Sequence, residues 1–454
     1  MTRPFAWGVA TSAFQIEGAR SEDGKGESIW DRFADAGRLG DLGDLAPDHY
    51  HRLEEDLDLL GGLGVDAYRF STAWTRVVPD GDGEVNGAGI DFYRRLTEGL
   101  ARRGIQPYLT LYHWDLPQAL QEKGGWRSRH TVDAFARYAR IMVESLGDRV
   151  AGWITQNEPW VSAFIGHRDG VFAPGLTDWE TALIAGHNLL LSHGRAAGAI
   201  RDVDPEARVG IALDCRPSRP ADEGSAAANR YFDGFRNRWF FDPVFGLGYP
   251  EDMLAEYTER GHLPAGPDAL IHDGDLDEIA TPIDFLGVNY YTTLTISTQN
   301  EESDEPEGPV GPGPPSGFTE MGWRNDPLGL RDFLARVNRD YGPSSILVTE
   351  NGASYGDAPD PTNRVEDTRR IEYLDQHIDA ALTAREEGVP VDGYFVWSLL
   401  DNLEWVAGFS QRFGLVWVDQ QTGERLPKDS YYWFRDRIRA TRTSLRRQAP
   451  PRPR

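Results

Sequence analysis

The chain has 454 residues, 40% of them hydrophobic, which is enough to bury the core of one large barrel or of two or three smaller domains. Its formal net charge of −25 at pH 7 argues against nucleic acid and against an anionic membrane surface as partners, because binding to either requires basic patches. The single cysteine, Cys215, excludes an intrachain disulfide and a cysteine-based metal site.

The first residues lack the apolar core of a signal peptide. No window of the chain approaches the ~18 consecutive apolar residues of a membrane span. These two features predict a cytoplasmic protein that does not bind membranes.

Short apolar segments alternate with segments of helical periodicity along the chain. The apolar segments predict strands at residues 5–13, 65–71, 105–114, 150–159, 208–215, 283–291, 345–353 and 391–401. The amphipathic segments predict helices at residues 51–64, 89–104, 131–147, 179–202, 229–241, 327–342, 368–388 and 430–441. Strands that are apolar throughout are buried on both faces, and helical crossovers between them indicate a parallel sheet.

Eight such units predict an α/β fold, a (β/α)8 TIM barrel that forms a single domain over residues 1–443. A doubly wound open sheet is the alternative, but no G-x-G-x-x-G loop follows the first strand. Two segments depart from the alternation. Residues 300–317 are acidic and rich in Pro and Gly, which predicts a mobile loop on the barrel rim, and residues 444–454 are predicted to be a disordered tail.

Polar and aromatic side chains collect at the carboxyl ends of the predicted strands, where barrels place catalytic groups. Amides, one histidine, one arginine, one tyrosine, tryptophans and two strand-end glutamates converge there, with a third glutamate and a tryptophan in the loop beyond the eighth strand: Gln15, Arg69, His113, Trp114, Asn157, Glu158, Asn289, Tyr291, Glu350, Trp397, Glu404 and Trp405. This set can hydrogen-bond hydroxyl groups and stack on a pyranose ring.

Glu158 and Glu350 end the fourth and seventh predicted strands, which we expect to face each other across the barrel. Hydrolysis of a glycosidic bond needs one protonated carboxyl at the leaving oxygen and a second carboxylate below the anomeric carbon. Arg69 would favour the ionised form of a nearby carboxylate. The alternative is that both are solvated rim residues, and that "WITQNEPW" simply ends in a turn. Two acids in apolar, aromatic surroundings, each beside an asparagine, favour the catalytic interpretation.

The segment "DHYH" (residues 48–51) resembles a metal motif, but a third and a fourth ligand are not evident. Asp48 is predicted instead to cap the helix that follows. Asn188 and His193, on the fourth long helix, are predicted to be packing or surface residues. The residues therefore predict no metal and no cofactor.

Several motifs occur in an order that resembles glycoside hydrolase family 1, the β-glucosidase family. They are "FAWGVATSAFQIEG", "DHYHRLEEDLDLLGGLGVDAYRFS", "YHWDLPQAL", "TQNEP", "VNYYT", "VTENGA", "WSLLDNLEW" and "QRFGLVWVD". The resemblance is nearly full length. It implies a (β/α)8 barrel and a reaction that retains the anomeric configuration.

The resemblance also implies residue roles. Glu158 corresponds to the acid/base and Glu350 to the nucleophile, while Arg69, Asn289 and Tyr291 correspond to groups that support them. The implied substrate-binding residues are Gln15, His113, Trp114, Asn157, Trp323, Trp397, Glu404, Trp405 and Phe413.

Two subfamilies can be distinguished from the resemblance. Phospho-glycosidases of the family carry Ser, Lys and Tyr where this chain has Glu404, Gln411 and Phe413, and a carboxylate there would repel a 6-phosphate. Myrosinases have Gln in place of the acid/base, which here is Glu158. The chain departs from the common pattern at Phe172, where His is frequent, and at Pro47, where Cys is frequent.

The function implied is that of a retaining exo-β-glycosidase, a β-glucosidase that also accepts galactosides or fucosides and needs no cofactor. Its partners would be small β-glucosides or oligosaccharides, and the residues do not address the oligomeric state. A retaining mechanism predicts carboxyl groups ~5–5.5 Å apart. Two alternatives remain open: a non-catalytic sugar-binding barrel, and an enzyme that mainly transglycosylates through the same covalent intermediate.

Overall fold

The computed structural model of the chain describes residues 3–39, 47–298 and 317–448. Eight parallel strands pair with their neighbours in chain order, and the first pairs with the last. They are β1 (Ala6–Ala10), β2 (Ala67–Ser71), β3 (Gln106–Tyr112), β4 (Gly152–Asn157), β5 (Val209–Cys215), β6 (Phe285–Tyr290), β7 (Ile346–Asn351) and β8 (Val391–Trp397). This closed barrel confirms the predicted (β/α)8 fold and excludes the open sheet.

Long helices follow most of the strands. They are α1 (Leu53–Leu63), α2 (Gly87–Arg102), α3 (Arg129–Leu146), α4 (Trp179–Val203), α5 (Pro327–Tyr341), α6 (Thr368–Glu386) and α7 (Asp429–Gln448). Between β5 and β6 the chain forms a series of shorter helices: Ala226–Asp233, Gly234–Arg238, Trp239–Val244, Glu251–Glu259 and Asp275–Ile279. Other short helices are Ala13–Ile16, Ile29–Asp35, Trp74–Val77, Gln118–Gln121 and Val161–Ile165. Small strand pairs join Ser218–Pro220 to Leu294–Ile296 and Val416–Val418 to Arg425–Pro427.

Capping residues fix the ends of the helices α4 and α5. At the start of α4, the Asp178 carboxylate accepts hydrogen bonds from the Thr181 amide, at 2.8 Å, and from its hydroxyl. The helix α5 has Asp326 as its cap, Pro327 in its first turn and Gly342 in the left-handed conformation at its end. These are the residues that satisfy or tolerate unpaired backbone groups at helix ends.

The strands are buried on both faces, as their uninterrupted apolar composition predicted. Every residue of β2, β4, β5, β6 and β7 is buried. Side chains from all eight strands fill the barrel interior, among them Ala10, Ala67, Tyr108, Ile154, Ala212, Phe285, Leu347 and Phe395. This packed interior forms a floor beneath the carboxyl ends of the strands.

Two local predictions near the N-terminus differ from the structure. The first strand ends at Ala10, and the residues after it turn into a short helix that carries Gln15. Asp48 does not cap a helix, because α1 begins at Leu53. Asp48 has a φ of +53°, and its carbonyl accepts from the amides of His51 and Arg52, so it forms the turn before the helix.

The structure also changes two expectations, one about the strands that carry Glu158 and Glu350 and one about the C-terminal tail. The strands β4 and β7 are three neighbours apart and do not face each other directly across the barrel. The helix α7 reaches Gln448, five residues into the predicted tail, because "SLRRQ" consists largely of good helix formers. Apart from Gly317, the predicted mobile loop at 300–317 lies outside the described residues.

Asn188 and His193 are packing residues, in line with the sequence interpretation. The Asn188 amide donates to the Trp126 carbonyl at 2.8 Å, and the His193 ring lies 2.6 Å from the Thr155 hydroxyl. In the described part of the chain, helices are too short or too polar to cross a membrane.

Candidate active site

A cavity opens at the carboxyl ends of the barrel strands. Of the predicted site residues it is lined by His113, Trp114, Glu158, Tyr291, Trp323, Glu350, Trp397, Glu404, Trp405 and Phe413. The other four predicted residues, Gln15, Arg69, Asn157 and Asn289, are fully buried next to it and make up its supporting layer.

Glu350 occupies the end of β7, where two donors hold its carboxylate. Arg69 Nη1 donates to Oε1 at 2.6 Å, and the Tyr291 hydroxyl donates to Oε2 at 2.7 Å. Burial raises the pKa of Glu350, and the charge of Arg69 together with these hydrogen bonds acts in the opposite direction. Each oxygen of Glu350 therefore has a partner that favours the ionised form.

Glu158 directly follows β4 and has a different environment. Its Oε1 accepts one hydrogen bond, from Asn289 Nδ2 at 2.8 Å. Burial raises the pKa of Glu158 well above its ordinary value, and the negative charges of Glu350 and Asp214 raise it further. The two glutamates are thus close enough to interact, and Glu158 is the weaker acid of the pair.

A buried network of amides connects the two glutamates. Asn157 Oδ1 accepts from Arg69 Nη2 at 2.5 Å and from Asn289 Nδ2 at 3.0 Å. The side-chain oxygen Oδ1 of Asn289 accepts in turn from the Thr349 hydroxyl at 2.7 Å. Because every member has a partner, this network fixes the positions of Arg69 and of both carboxyl groups.

His113 lies at the end of β3 and is held in its neutral form. Burial, and then the charge of Arg69, lower the pKa of its imidazole well below the ordinary value. Asn157 Nδ2 donates to Nε2 at 3.3 Å, which leaves the proton on Nδ1. Nδ1 is buried and has no partner among the described residues.

Aromatic rings form two groups on the cavity wall. On one side, Trp114 and Trp405 have ring centroids 4.5 Å apart, and Phe172 packs on Trp114 at 5.7 Å. On the other side, Trp323 contacts Tyr291 at 5.1 Å and Phe413 at 6.2 Å. Phe172, where the family pattern often has His, is therefore part of the aromatic wall.

The loop after β8 brings Glu404 to the cavity and is tied to the N-terminal segment. Burial, and then the charge of Glu350, raise the pKa of Glu404 to about 8. Gln15 supports this loop: its amide donates to the Leu403 carbonyl at 2.6 Å and to Asn402 Oδ1 at 3.1 Å. Its own oxygen accepts from the Ser12 hydroxyl, so its polar groups are directed at the protein.

Three residues at the site have backbones in the left-handed region, although none is a glycine. They are Trp114, Glu158 and Trp405, with φ of +79°, +49° and +48°. Each such conformation costs on the order of 1–3 kcal/mol and persists only where the surroundings enforce it. Hydrogen bonds such as that from Trp114 Nε1 to the Asn157 carbonyl, at 2.9 Å, supply that constraint.

The sequence analysis missed several polar residues of the cavity that come from β5 and the helices after it. Asp214 and Arg216 lie at the end of β5, and Arg236 donates to the Asp214 carboxylate. The Arg236 guanidinium also lies 3.3 Å from the centroid of the Trp160 ring. The signal was present, because Asp214 ends an apolar strand just as Asn157 does.

Within the described ranges, His, Cys, Asp and Glu side chains form no group of three or more that could hold a metal ion. Glu158 and Glu350, two carboxyl groups of unequal acidity, can support acid–base and nucleophilic chemistry in this cavity.

The sequence and the fold were compared with those of known proteins. A profile described as Glycosyl hydrolase family 1 matches residues 1–443. The chain belongs to this family. It is therefore a glycoside hydrolase, as the resemblance of its motifs predicted.

Relatives within family 1 cover nearly the whole chain. Beta-glucosidase A of Acetivibrio thermocellus is 44% identical over 96% of this chain and 98% of its own length. A protein of Bifidobacterium breve described as a bifunctional beta-D-glucosidase/beta-D-fucosidase is 42% identical over 95% of this chain and 96% of its own. The structure of a beta-glucosidase from Thermotoga maritima in complex with deoxynojirimycin is similar too, with a TM-score of 0.87, 42% identity, and coverage of 97% and 99% of the two chains.

Proposed function

We propose that this family 1 protein is a retaining exo-β-glucosidase that cleaves terminal, unphosphorylated β-D-glucosyl residues. The observation that carries the proposal is the unequal environment of the two carboxyl groups. Glu350 accepts from Arg69 and Tyr291, whereas Glu158 is buried with one amide donor and two negative neighbours. Two carboxyl groups with separated pKa values are what an acid and a nucleophile require.

In the first step, a Glu350 oxygen attacks the anomeric carbon. The bond from that carbon to the leaving oxygen breaks as Glu158 transfers its proton to the oxygen, which leaves a glucosyl ester on Glu350. In the second step, Glu158 takes a proton from water, and the water oxygen attacks the same carbon and displaces Glu350. Two inversions retain the configuration and regenerate both carboxyl groups.

The cavity wall gives the sugar both donors and an apolar face. The side chains of His113 and Glu404 line the cavity and would contact hydroxyl groups of the terminal sugar, and Trp397 and Trp405 offer ring faces. Trp323, on the other side of Glu350, would contact the aglycone. The name of the Bifidobacterium breve relative supports including fucosides, and the proposal extends the range to galactosides.

Substitution of the two glutamates tests the proposal. Glu350→Gln removes the nucleophile, and we expect kcat/KM for an aryl β-glucoside to fall by roughly 10⁴-fold or more. Glu158→Gln removes the proton donor. We expect a loss of about 10²–10⁴-fold on substrates with a poor leaving group and a much smaller loss of the first step with 2,4-dinitrophenyl β-glucoside, whose leaving group needs no proton.

Incubation with 2-deoxy-2-fluoroglucosyl fluoride should leave one sugar attached to Glu350, detectable as a modified peptide by mass spectrometry. Turnover of the aryl glucoside by Glu350→Gln at the wild-type rate would refute the assignment. Glucose binding without any hydrolysis by the wild type would favour the sugar-binding alternative. The ratio of transfer product to glucose in excess alcohol measures the share of transglycosylation.

A further inference from the structure

Arg216 occupies a position in the cavity that the proposed mechanism does not use. It follows β5 and lines the cavity together with Glu158 and Trp323. Its guanidinium carbon lies 4.9 Å from the centroid of the Trp323 ring. Its charge also acts on Glu158, whose pKa it lowers. Arg216 therefore lies between the proton donor and the aromatic residue on the aglycone side.

Among the described residues, Arg216 forms no ion pair. Its Nη1 is buried and has no hydrogen-bond partner in the same part of the chain. Two other arginines at the site are paired with carboxylates: Arg69 donates to Glu350, and Arg236 donates to Asp214. A buried donor of a charged group is costly when it is left unpaired. In a chain with a net charge of −25, a cation at the cavity wall that has no ion-pair partner in the described ranges needs an explanation.

A ligand that reaches past Glu158 can supply the missing partner. A guanidinium group binds planar oxyanions best, because two parallel N–H groups match the two oxygens of a carboxylate. A carboxylate fits this place better than a phosphate, because the second negative charge of a phosphate would face the nearby Asp214. The charge of Glu350 would also repel a phosphate more strongly than a carboxylate.

We propose that Arg216 selects β-glucosides whose aglycone carries a carboxylate. The inference rests on the proposed glucosidase activity, because it places the carboxylate on the leaving group. Arg216 does not take part in proton transfer. It binds the carboxylate and thereby orients the leaving oxygen towards Glu158.

The test compares 4-carboxyphenyl β-D-glucoside with 4-carbamoylphenyl β-D-glucoside, which has nearly the same shape and no charge, and includes the 3-substituted isomers. The variants are Arg216→Gln, which removes the charge, and Arg216→Lys, which keeps the charge and loses the planar fork. The matched control is Arg219→Gln, because Arg219 belongs to the same segment, has a side chain that is 51% exposed and does not line the cavity. Thermal melting verifies that each variant is folded.

We expect Arg216→Gln to lower kcat/KM for the carboxylated substrate by about 10- to 100-fold, as for a lost charged hydrogen bond. The loss for the amide should be smaller by a factor of about ten or more. For the carboxylated substrate, kcat/KM of Arg216→Lys should lie between that of the wild type and that of Arg216→Gln. Arg219→Gln should leave kcat/KM unchanged for both substrates. Each comparison uses one substrate in two proteins, so differences in leaving-group ability cancel. Equal losses on both substrates with Arg216→Gln would overturn the proposal.

A binding measurement separates this proposal from the proposed function. We expect 4-hydroxybenzoate to bind the wild type more tightly than 4-hydroxybenzamide, with a change in tryptophan fluorescence, and Arg216→Gln to remove the difference. If the wild type hydrolyses neither glucoside, the glucosidase proposal fails, and this binding still decides whether Arg216 recognises carboxylates. Equal affinity of the wild type for the acid and the amide would refute the Arg216 site.

Discussion

At the scale of single residues, the site depends on the difference between two otherwise identical carboxyl groups. Glu158 and Glu350 are both buried, and burial raises the pKa of each. The difference comes from their partners, which are a cation and a phenol for Glu350 and an amide for Glu158. Activity should therefore appear as Glu350 ionises and disappear as Glu158 loses its proton, which gives a bell-shaped pH profile.

Tyr291→Phe should distort that profile on one side. The Tyr291 hydroxyl favours the ionised form of Glu350, so its removal raises the pKa of Glu350. Because Glu350 must be ionised, the acidic limb of kcat/KM should move to higher pH, and the basic limb, set by Glu158, should move less. We also expect kcat/KM at the optimum to fall about tenfold, the value of a hydrogen bond to a charged group.

Tyr290→Phe is the matched control for this prediction. The Tyr290 hydroxyl donates to the Asp326 carbonyl at 2.6 Å, away from the cavity. Its loss should leave both limbs in place. An unchanged acidic limb in Tyr291→Phe would show that this hydroxyl does not control the ionisation of Glu350.

At the scale of elements, apolar segments and the residues at strand and helix ends account for the parts of the fold and of the site that could be predicted from the sequence. Apolar segments predicted all eight strands, and the rule that barrel strands end in catalytic groups pointed to Glu158 and Glu350. The same rule placed Gln15 after the first strand, but its contacts could not be predicted, because its hydrogen bonds go to Leu403 and Asn402, almost 400 residues away. Of the short helices between β5 and β6, the sequence predicted only the segment at residues 229–241, which contains Arg236, and the others carry too few turns for periodicity to define them.

The cap of α4 gives a stability prediction at this scale. Asp178→Ala removes the acceptor for the Thr181 amide, and we expect the free energy of unfolding to fall by about 1 kcal/mol. Asp178→Asn keeps a good capping group and should cost much less. Chemical denaturation measures both. A loss in Asp178→Asn as large as that in Asp178→Ala would show that the charge, and not the cap, is what matters.

At the scale of the whole molecule, buried ion pairs join elements from the last third of the chain. Lys428, just before α7, is fully buried, and its Nζ lies 3.0 Å from Asp401 and 3.5 Å from Asp357. Arg370 of α6 pairs with Asp367 at 2.9 Å and also with Asp357. These contacts fix the loops after β7 and β8, and the loop after β8 carries Glu404, Trp405 and Phe413 of the cavity.

Lys428→Met should therefore be strongly destabilising. It leaves the buried carboxylates of Asp401 and Asp357 without this cation, and we expect the free energy of unfolding to fall by about 3–5 kcal/mol. Lys123→Met is the matched control, because Lys123 is 48% exposed in its ion pair with Asp82, and its loss should cost at most about 1 kcal/mol. Equal losses in the two variants would contradict this account of the network.

β1 pairs with β8, and Gln15 donates a hydrogen bond to the segment at Leu403. These contacts determine when, during synthesis, the protein becomes active. A growing chain emerges from the ribosome with its N-terminus first. Glu158 and Glu350 are made before Glu404, Trp405 and the strand that closes the barrel. A chain that has not reached β8 thus carries both proposed catalytic groups without Glu404 and Trp405, and the enzyme should acquire activity only after these parts have been made.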